Sequence, residues 1–364
     1  MKLTKLYIHN YKSFYNTTIE LDKLNIVVGE NNSGKSNLID VLEFIDIARN
    51  KGIDKAIDDK GGYEQIKNYS AIGEKKIIIR ITFNGYDDEN ITLSFSFTNH
   101  YSIVSYFYHQ KFILSFKEYF ETKKQRTKYI ECPDYNGTKF IMHHEMYSMK
   151  NFYQYKISTY YFDAQKIRTL SNQDSKYTKL LKDGSNLGKV LYEIQEKDKN
   201  RFEAISNSLI TTVNEIDGIE VYKVAGNYII AFKERGKEPI PIHTVSDGTI
   251  NFLATMTALN QKDDSSMLVF EEPERHLHFK VVNYLLDSFR HHDKQILITS
   301  HSTEMLKYAD LNEVIFIYRD SDGDTQTIRA DKIPNLKEKM EYMTYERSMT
   351  LDEMLDEDMV WDFE

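Results

Sequence analysis

A single cysteine, Cys132, stands in 364 residues, which excludes a disulfide framework and any metal centre built from thiolates. Tryptophan is equally scarce. Trp361 is the only one, against 26 tyrosines and 20 phenylalanines, an aromatic bias that by itself assigns no function. No run approaches the roughly 18–20 apolar residues needed to cross a bilayer, and Met1-Lys2-Leu3-Thr4-Lys5 lacks the apolar core of a signal peptide. The sequence therefore predicts a cytoplasmic protein in a reducing compartment, with no membrane partner. There is no internal repeat, no low-complexity linker and no sustained heptad pattern. Charged residues at 28% and apolar ones at 41% are ordinary for a globular chain, long enough to bury one large core or two.

A net charge of −9 argues against a generally basic protein that coats nucleic acid, but the charge is unevenly spread. From Glu341 to Glu364 there are nine acidic residues and one basic, Arg347, while Lys111 to Arg168 holds eleven basic and six acidic. Solvated faces account for both; the basic stretch is also able to meet phosphate or an acidic partner.

What is present begins with Gly29-Glu30-Asn31-Asn32-Ser33-Gly34-Lys35-Ser36, between the apolar run Leu24 to Val28 and the amphipathic run Asn37 to Ile47. This is a P-loop in its strand-before, helix-after setting. Backbone N–H groups of such a loop form a nest for phosphate oxygens, and the following helix aims its positive end at the same charge. Lys35 reaches the β- and γ-phosphates and the Ser36 hydroxyl is a ligand for Mg²⁺, so Asn31, Asn32, Ser33, Gly34, Lys35, Ser36 and Asn37 are the predicted nucleotide contacts. The bland alternative is a glycine-rich turn with a lysine on the following helix.

Three further segments bear on that choice. Met267-Leu268-Val269-Phe270-Glu271-Glu272 is an apolar strand ending in two acids, which reads as a Walker B strand. Glu271 is then expected to hold the magnesium shell through a bound water, and Glu272 to orient and deprotonate the attacking water. Ser246-Asp247-Gly248-Thr249 precedes a helical stretch and offers a phosphate-seeking helix N-terminus, although the same string makes an ordinary N-cap and turn. Ile296-Leu297-Ile298-Thr299-Ser300-His301 is a buried strand ending in histidine, a residue that in most proteins merely caps such a strand.

Periodicity predicts strands over Leu3–Ile8, Tyr15–Leu21, Leu24–Val28, Lys76–Phe83 and Asn90–Phe97, the last two paired across Gly85-Tyr86-Asp87-Asp88. It predicts helices over Asn37–Ala48, Thr249–Leu259 and Val281–Arg290, and a helix-rich stretch over Lys189–Leu209. Ile219–Val224 and Tyr228–Phe232 suggest a hairpin over Ala225-Gly226-Asn227, and Thr159–Phe162, Met267–Phe270 and Gln295–Thr299 suggest strands of a central sheet. Between Thr98 and Ser158 no clean period survives, and the segment is expected to be an inserted subdomain. Buried strands alternating with helices imply a parallel sheet covered by helices. The predicted fold is α/β, a P-loop NTPase with a mixed N-terminal β region and an aromatic-rich insertion, and with the Ser246 segment, which resembles the signature motif of ABC-type ATPases, it is expected to be of ABC-ATPase type. Its expected parts are 1–97 and 159–330 as two halves of the ATPase, 98–158 as the insertion and 331–364 as an acidic tail.

Taken together, Leu6-Tyr7-Ile8-His9-Asn10-Tyr11-Lys12-Ser13-Phe14, the P-loop with its doubled Asn31-Asn32, Asp183-Gly184-Ser185-Asn186-Leu187, the Ser246 segment, Glu271-Glu272-Pro273-Glu274 with Leu277-His278, and Thr299-Ser300-His301-Ser302 are similar to the RecF/SMC/OLD branch of ABC ATPases. Within it the chain most resembles the OLD-like AAA-type ATPases of prokaryotic defence operons, from about Met1 to Arg319. The resemblance implies a homodimer sandwiching two ATP molecules, with higher oligomers also open. In it Ser246 and Gly248 act on the partner's γ-phosphate, Glu272 is the catalytic base and His301 senses the γ-phosphate. It also implies that Gln165 is the Q-loop residue touching nucleotide and metal. His276 and His278 fall on the dimer-contacting loop, where a structural role outweighs a metal pair. The long coiled coils of SMC proteins are missing. Only about forty-five residues follow Arg319, too few for the TOPRIM nuclease of full OLD proteins.

Two functions follow as expectations. One is an ATP-driven regulator that senses an infection-related or nucleic-acid signal and controls a separate effector, a nuclease or toxin, in anti-phage defence. The other is a RecF-like DNA repair or recombination ATPase gripping duplex DNA through Lys123, Lys124, Arg126 and Lys128. A transporter's ATPase subunit fits less well. The acidic tail, with Met354, Leu355, Met359, Val360, Trp361 and Phe363 among its charges, reads as a docking peptide. Removing Leu351 to Glu364 is expected to leave ATP hydrolysis intact while weakening partner capture in pull-downs; unchanged capture and regulation would count against that role.

Overall fold

The computed structural model describes residues 1–70, 76–84, 90–108, 111–119, 126–130, 154–169, 178–334 and 336. These fall into two compact units, Met1–Ile157 with Ser265–Met267 and Leu311–Lys337, and Ser158–Asp264 with Leu268–Asp310. The turn Gly85 to Asp88, Lys123, Lys124 and the acidic tail from Glu341 lie outside the described residues.

In the first unit, β1 (Lys2–His9) pairs antiparallel with β2 (Thr17–Glu20). A bulge between Leu3 and Lys5 interrupts its register with a later strand. That extra residue lets Leu3 and Leu6, three apart in sequence, both face inward with Ile8, each at most 1% exposed. β3 (Leu24–Val28) is buried at all five positions. It pairs in parallel with the closing strand Val314–Arg319, which in turn pairs antiparallel with Thr325–Arg329. Such a strand, covered on both faces, reads as a continuous apolar run. The chain then passes through α1 (Lys35–Lys51), α2 (Ile53–Asp59) and α3 (Tyr63–Ile66).

β4 (Ile77–Asn84) and β5 (Asn90–Phe97) set Ile77 opposite Phe97, Ile79 opposite Phe95 and Ile81 opposite Leu93. These make the apolar face of a seven-stranded antiparallel sheet ordered β2-β1-β4-β5-β6-β7-β8. The aromatic-rich segment supplies β6 (Tyr101–Tyr108), β7 (Lys111–Tyr119) and β8 (Arg126–Ile130) by successive antiparallel pairing. It therefore begins as an extension of the sheet. The strands escape notice in the sequence because runs such as Tyr106-Phe107-Tyr108 carry bulky rings at consecutive positions, so the period of two is lost. Arg126 and Lys128 lie on β8.

The second unit carries the strands ordered β14-β13-β9 and the helices between them. β9 (Ile157–Tyr160) leads to α4 (Ala164–Arg168), α5 (Leu187–Lys197) and α6 (Lys199–Thr212). The hairpin β10 (Ile216–Val224) and β11 (Asn227–Glu234) follows, turning on Ala225 (φ 48°) and Gly226 (φ 82°). Both central residues have positive φ, as a tight two-residue hairpin turn requires. After the two-residue β12 (Ile240–Pro241) come α7 (Asp247–Asn260), β13 (Met267–Glu271), α8 (Phe279–His291), β14 (Gln295–Ser300) and α9 (Thr303–Leu306). α7 is buried nearly all round; its Thr255 and Thr257 hydroxyls donate to the Asn251 and Leu253 carbonyls at 2.8 and 2.7 Å, as mid-helix hydroxyls must when water is excluded. Tyr160 stacks on Phe270 at 5.3 Å, and Phe270 meets Phe289 at a tilt at 5.2 Å.

In the first unit Phe44 of α1 is fully buried, stacks on Phe97 at 5.1 Å and meets the edge of Tyr11 at 5.7 Å. Phe44→Ala is expected to cost about 3–5 kcal/mol, read as a lower midpoint in urea or thermal unfolding. An unchanged midpoint would contradict this packing.

Candidate functional site

The loop after β3 is shaped by backbone demands. Asn32 adopts φ 67° and Gly34 φ 117°, and a Cβ at Gly34 would come within 2.5 Å of Thr325 Oγ1. Only glycine meets both conditions at position 34. Gly34 is also the N-cap of α1 and has no side chain with which to occupy the first-turn N–H groups. Those groups therefore present positive charge at the loop. Lys35 is 6% exposed, and its Nζ donates to the Gly29 and Glu30 carbonyls at 2.5 and 2.7 Å, which holds the ammonium across the loop. Asn31, Asn32 and Ser36 are exposed.

The brace beneath this loop was not legible in the sequence. Thr325 Oγ1 donates to the Ser33 carbonyl at 2.9 Å and lies 2.8 Å from Ser13 Oγ, which also accepts the Asn37 amide at 2.8 Å. Arg319 Nε donates to the Asn32 carbonyl at 2.9 Å. Asn37, predicted as a nucleotide contact, thus turns its amide to Ser13. Ser13 sits in a turn with Asn10 (φ 59°) and Lys12 (φ 47°) left-handed, and Lys12 and Lys60 pair with Asp40 of α1 at 2.7 and 2.5 Å. Burial works to raise the Asp40 carboxyl, but the hydrogen bonds from Lys12, Lys60 and Tyr11 leave it below the usual carboxylate range.

In the second unit, a cleft of about 510 Å³ gathers Gln165, Asp247, Asn251, Glu271, Glu272 and Arg275. Glu271 ends β13. Glu272 follows in the left-handed region at φ 46°, its N–H donating to the Thr299 carbonyl at 2.9 Å. That turn swings its carboxylate to His301, with Oε1 3.2 Å from Nε2. Two acids adjacent in sequence therefore leave the strand in different directions. Gln165 stands on α4, whose N-cap Asp163 accepts the Gln165 and Lys166 N–H groups at 2.9 and 3.2 Å. The Asp183-Gly184-Ser185-Asn186 turn holds Asp163 in place, with the Asp163 N–H on the Asp183 carbonyl at 3.2 Å.

Ser246 is the N-cap of α7, accepting the Thr249 N–H at 3.2 Å. A Cβ at Gly248 would fall 2.2 Å from the His276 carbonyl, so a local packing demand also requires glycine there. Asp247 pairs with Arg168 of α4, which donates a second bond to the Val245 carbonyl at 2.7 Å. Sequence reading missed this tie between the Gln165 helix and the Ser246 segment. Ser246 and Gly248 line a second cleft, of about 750 Å³, with His276, His278 and Lys280. His276 is left-handed at φ 66°, and His278 Nδ1 caps α8 at 3.5 Å from the Lys280 N–H. Among the described residues no three His, Cys, Asp or Glu side chains gather to hold a metal. Ser36 offers an exposed hydroxyl oxygen and Glu271 a carboxylate at the end of β13, both of them donor types that Mg²⁺ accepts. Nor is any described helix long and apolar enough to cross a membrane.

A family model described as "AAA domain, putative AbiEii toxin, Type IV TA system" matches residues 24–307. A Helicobacter pylori protein named ATP/GTP phosphatase is 25% identical over 343 residues, covering 83% of this chain and 86% of its own. An SMC head bound to the C-winged helix domain of ScpA has a similar fold, with a TM-score of 0.55 at 18% identity over 90% of this chain and 97% of that one. So does an SMC head with an extended coiled coil, bound to the C-terminal domain of ScpA and derived from Pyrococcus furiosus. It scores 0.53 at 16% identity over 93% and 99%. The fold is the α/β fold of ABC- and SMC-type P-loop ATPases, with a mixed N-terminal β region and an aromatic-rich extension. The chain is a nucleotide-binding ATPase, and it belongs to the family of the AAA domain, putative AbiEii toxin, Type IV TA system.

Proposed function

We propose that this ATPase works as a homodimer closing on ATP and Mg²⁺, and that hydrolysis governs a separate effector. The observation that carries the reading is the Glu272–His301 pair, held at 3.2 Å, with Glu272 lining one cleft alongside Glu271 and Gln165. Mg²⁺, when bound, neutralises charge on the phosphates; Ser36 and Glu271 are its assigned donors, with Gln165 a third. Lys35 and the N–H groups of residues 31–37 grip the phosphates. Glu272 takes a proton from water as the water oxygen attacks the γ-phosphorus and ADP departs. With Nε2 protonated, His301 donates to Glu272 and keeps its carboxylate aimed until the γ-phosphate arrives. Ser246 and Gly248 serve the γ-phosphate held by the partner subunit.

The doubled Asn31-Asn32, the Asp183-Gly184-Ser185-Asn186-Leu187 turn and Glu271-Glu272-Pro273-Glu274 support an OLD-like branch. The family's description, with its toxin and toxin–antitoxin system, supports control of a toxic effector in anti-phage defence. A RecF-like repair role is the alternative, and it predicts DNA-stimulated hydrolysis with a steep salt slope.

Lys35→Ala is expected to abolish ATP binding by equilibrium dialysis. Glu272→Gln should lower kcat by about 10²–10⁴-fold while keeping nucleotide, so that light scattering after purification with ATP finds a nucleotide-bound dimer. Near-normal turnover, or a monomer without ATP, would sink the mechanism. A nuclease or toxin co-purifying with that trapped dimer supports the effector reading; DNA in its place favours repair.

A further inference from the structure

Two residues beyond Glu272 lies a second carboxyl that the mechanism above does not use. Glu274 is 6% exposed, and its Oε1 accepts the Ser300 hydroxyl at 2.5 Å. Ser300 Oγ in turn accepts the Ser302 N–H at 2.9 Å, and the backbone N–H of His301 faces the same carboxyl. Glu274 Oε2 is buried with no hydrogen-bond partner among the described residues. The loop after β13 is thus fastened to the end of β14 at two places, by the Glu272 N–H on the Thr299 carbonyl and by Glu274 on Ser300. Each of these elements carries one member of the Glu272–His301 pair at 3.2 Å.

We propose that Glu274 is a positioning residue for hydrolysis, holding Ser300 and the His301 backbone so that the imidazole meets Glu272. The inference rests on the roles assigned above to Glu272 and His301. The fastening is direct: His301 follows Ser300 in sequence, so any slip of the β14 loop moves the ring. A misplacement of about 1 Å at a reacting group is worth on the order of 100-fold in rate.

Glu274 meets this demand as a neutral acid better than as an anion. Burial pushes its carboxyl up to about 7, against the hydrogen bonds from Ser300 and the nearby N–H groups, and the charge of Glu272 adds to the rise. The charged group acting on it is Glu272 on its own loop; His301, which follows β14, meets it through the backbone N–H. Ionisation places a second negative charge beside Glu272, which disturbs the pair. Because the folded chain holds this proton more tightly than the unfolded one, stability is full below about 4.5, the carboxyl's ordinary value, and is lost as pH rises towards 7. The substitution Glu274→Gln would keep an acceptor for Ser300 without the titration.

Steady-state kinetics from pH 6 to 8 test this. Glu274→Ala and Ser300→Ala are each expected to lower kcat by about 10- to 100-fold with KM for ATP within about twofold of wild type. Glu274→Gln should restore turnover at pH 6, and its advantage over wild type in both kcat and Tm should grow towards pH 8. Ser300→Ala keeps the test open if Glu274→Ala does not fold. Unchanged kcat in both alanine variants, or a Glu274→Gln to wild-type ratio that stays flat with pH, would overturn the inference. Glu272→Gln, measured alongside, separates the two readings. If it turns over ATP normally, the assigned base is wrong; if it is dead while the Ser300 and Glu274 variants are normal, only the positioning role falls.

Discussion

Glu272 enters a backbone conformation that residues with side chains seldom adopt, φ 46°, at the point where a fully apolar strand meets solvent. A left-handed non-glycine residue costs roughly 1–3 kcal/mol, and here its N–H bond to Thr299 and the burial of β13 and β14 offset that cost. The geometry of the second unit's cleft depends on this turn. An extended backbone would alternate Glu271 and Glu272 to opposite faces of the strand; the left-handed turn instead sends Glu272 to His301 and leaves Glu271 ending the strand. Asp163, Asp183 and Arg168 then hold α4 and the Ser246 segment through ordinary caps and one ion pair.

The first unit solves a different problem, which is to keep a loop of exposed polar residues rigid while its backbone N–H groups stay available. Thr325 and Arg319 do this from outside, bonding the carbonyls of Ser33 and Asn32, while Ser13 holds Thr325 from below. A brace through carbonyls suits an anion site, since any side-chain acceptor placed on those N–H groups would compete with the anion. The strict requirement for glycine at position 34 follows from Thr325 packing so close beneath it.

Much of this was legible in the sequence, for physical reasons that differ from place to place. β3, β13 and β14 are continuous apolar runs, and α1 and α8 carry clean helical stripes, so their positions follow from periodicity to within a few residues. Glu272 and His301 were legible because each follows such a run directly. Ser13 and Thr325 were not: they meet across 312 positions of sequence, and neither residue type announces a partner. Arg168 likewise gives no local sign that it reaches Asp247. The strands β6 to β8 hid behind bulky aromatic residues at consecutive positions of the sequence, and Glu274 reads in the sequence as one more acid in an acidic string.

Ser246 and Gly248 show how far a motif can be read without structure. Both have complete local explanations: the serine caps α7 and the glycine admits the His276 carbonyl. Loss of an N-cap costs about 1 kcal/mol, and a Cβ at position 248 would force the backbone of the His276 loop to move. Any loss of activity on replacing either residue therefore mixes local destabilisation with loss of the phosphate contact proposed for it. The two separate through the oligomer. A cap defect lowers the stability of the monomer whether or not ATP is bound, whereas a contact made to the partner's nucleotide weakens only the ATP-bound dimer. The role in trans is a statement about the second of these, and stability of the isolated chain carries no information on it.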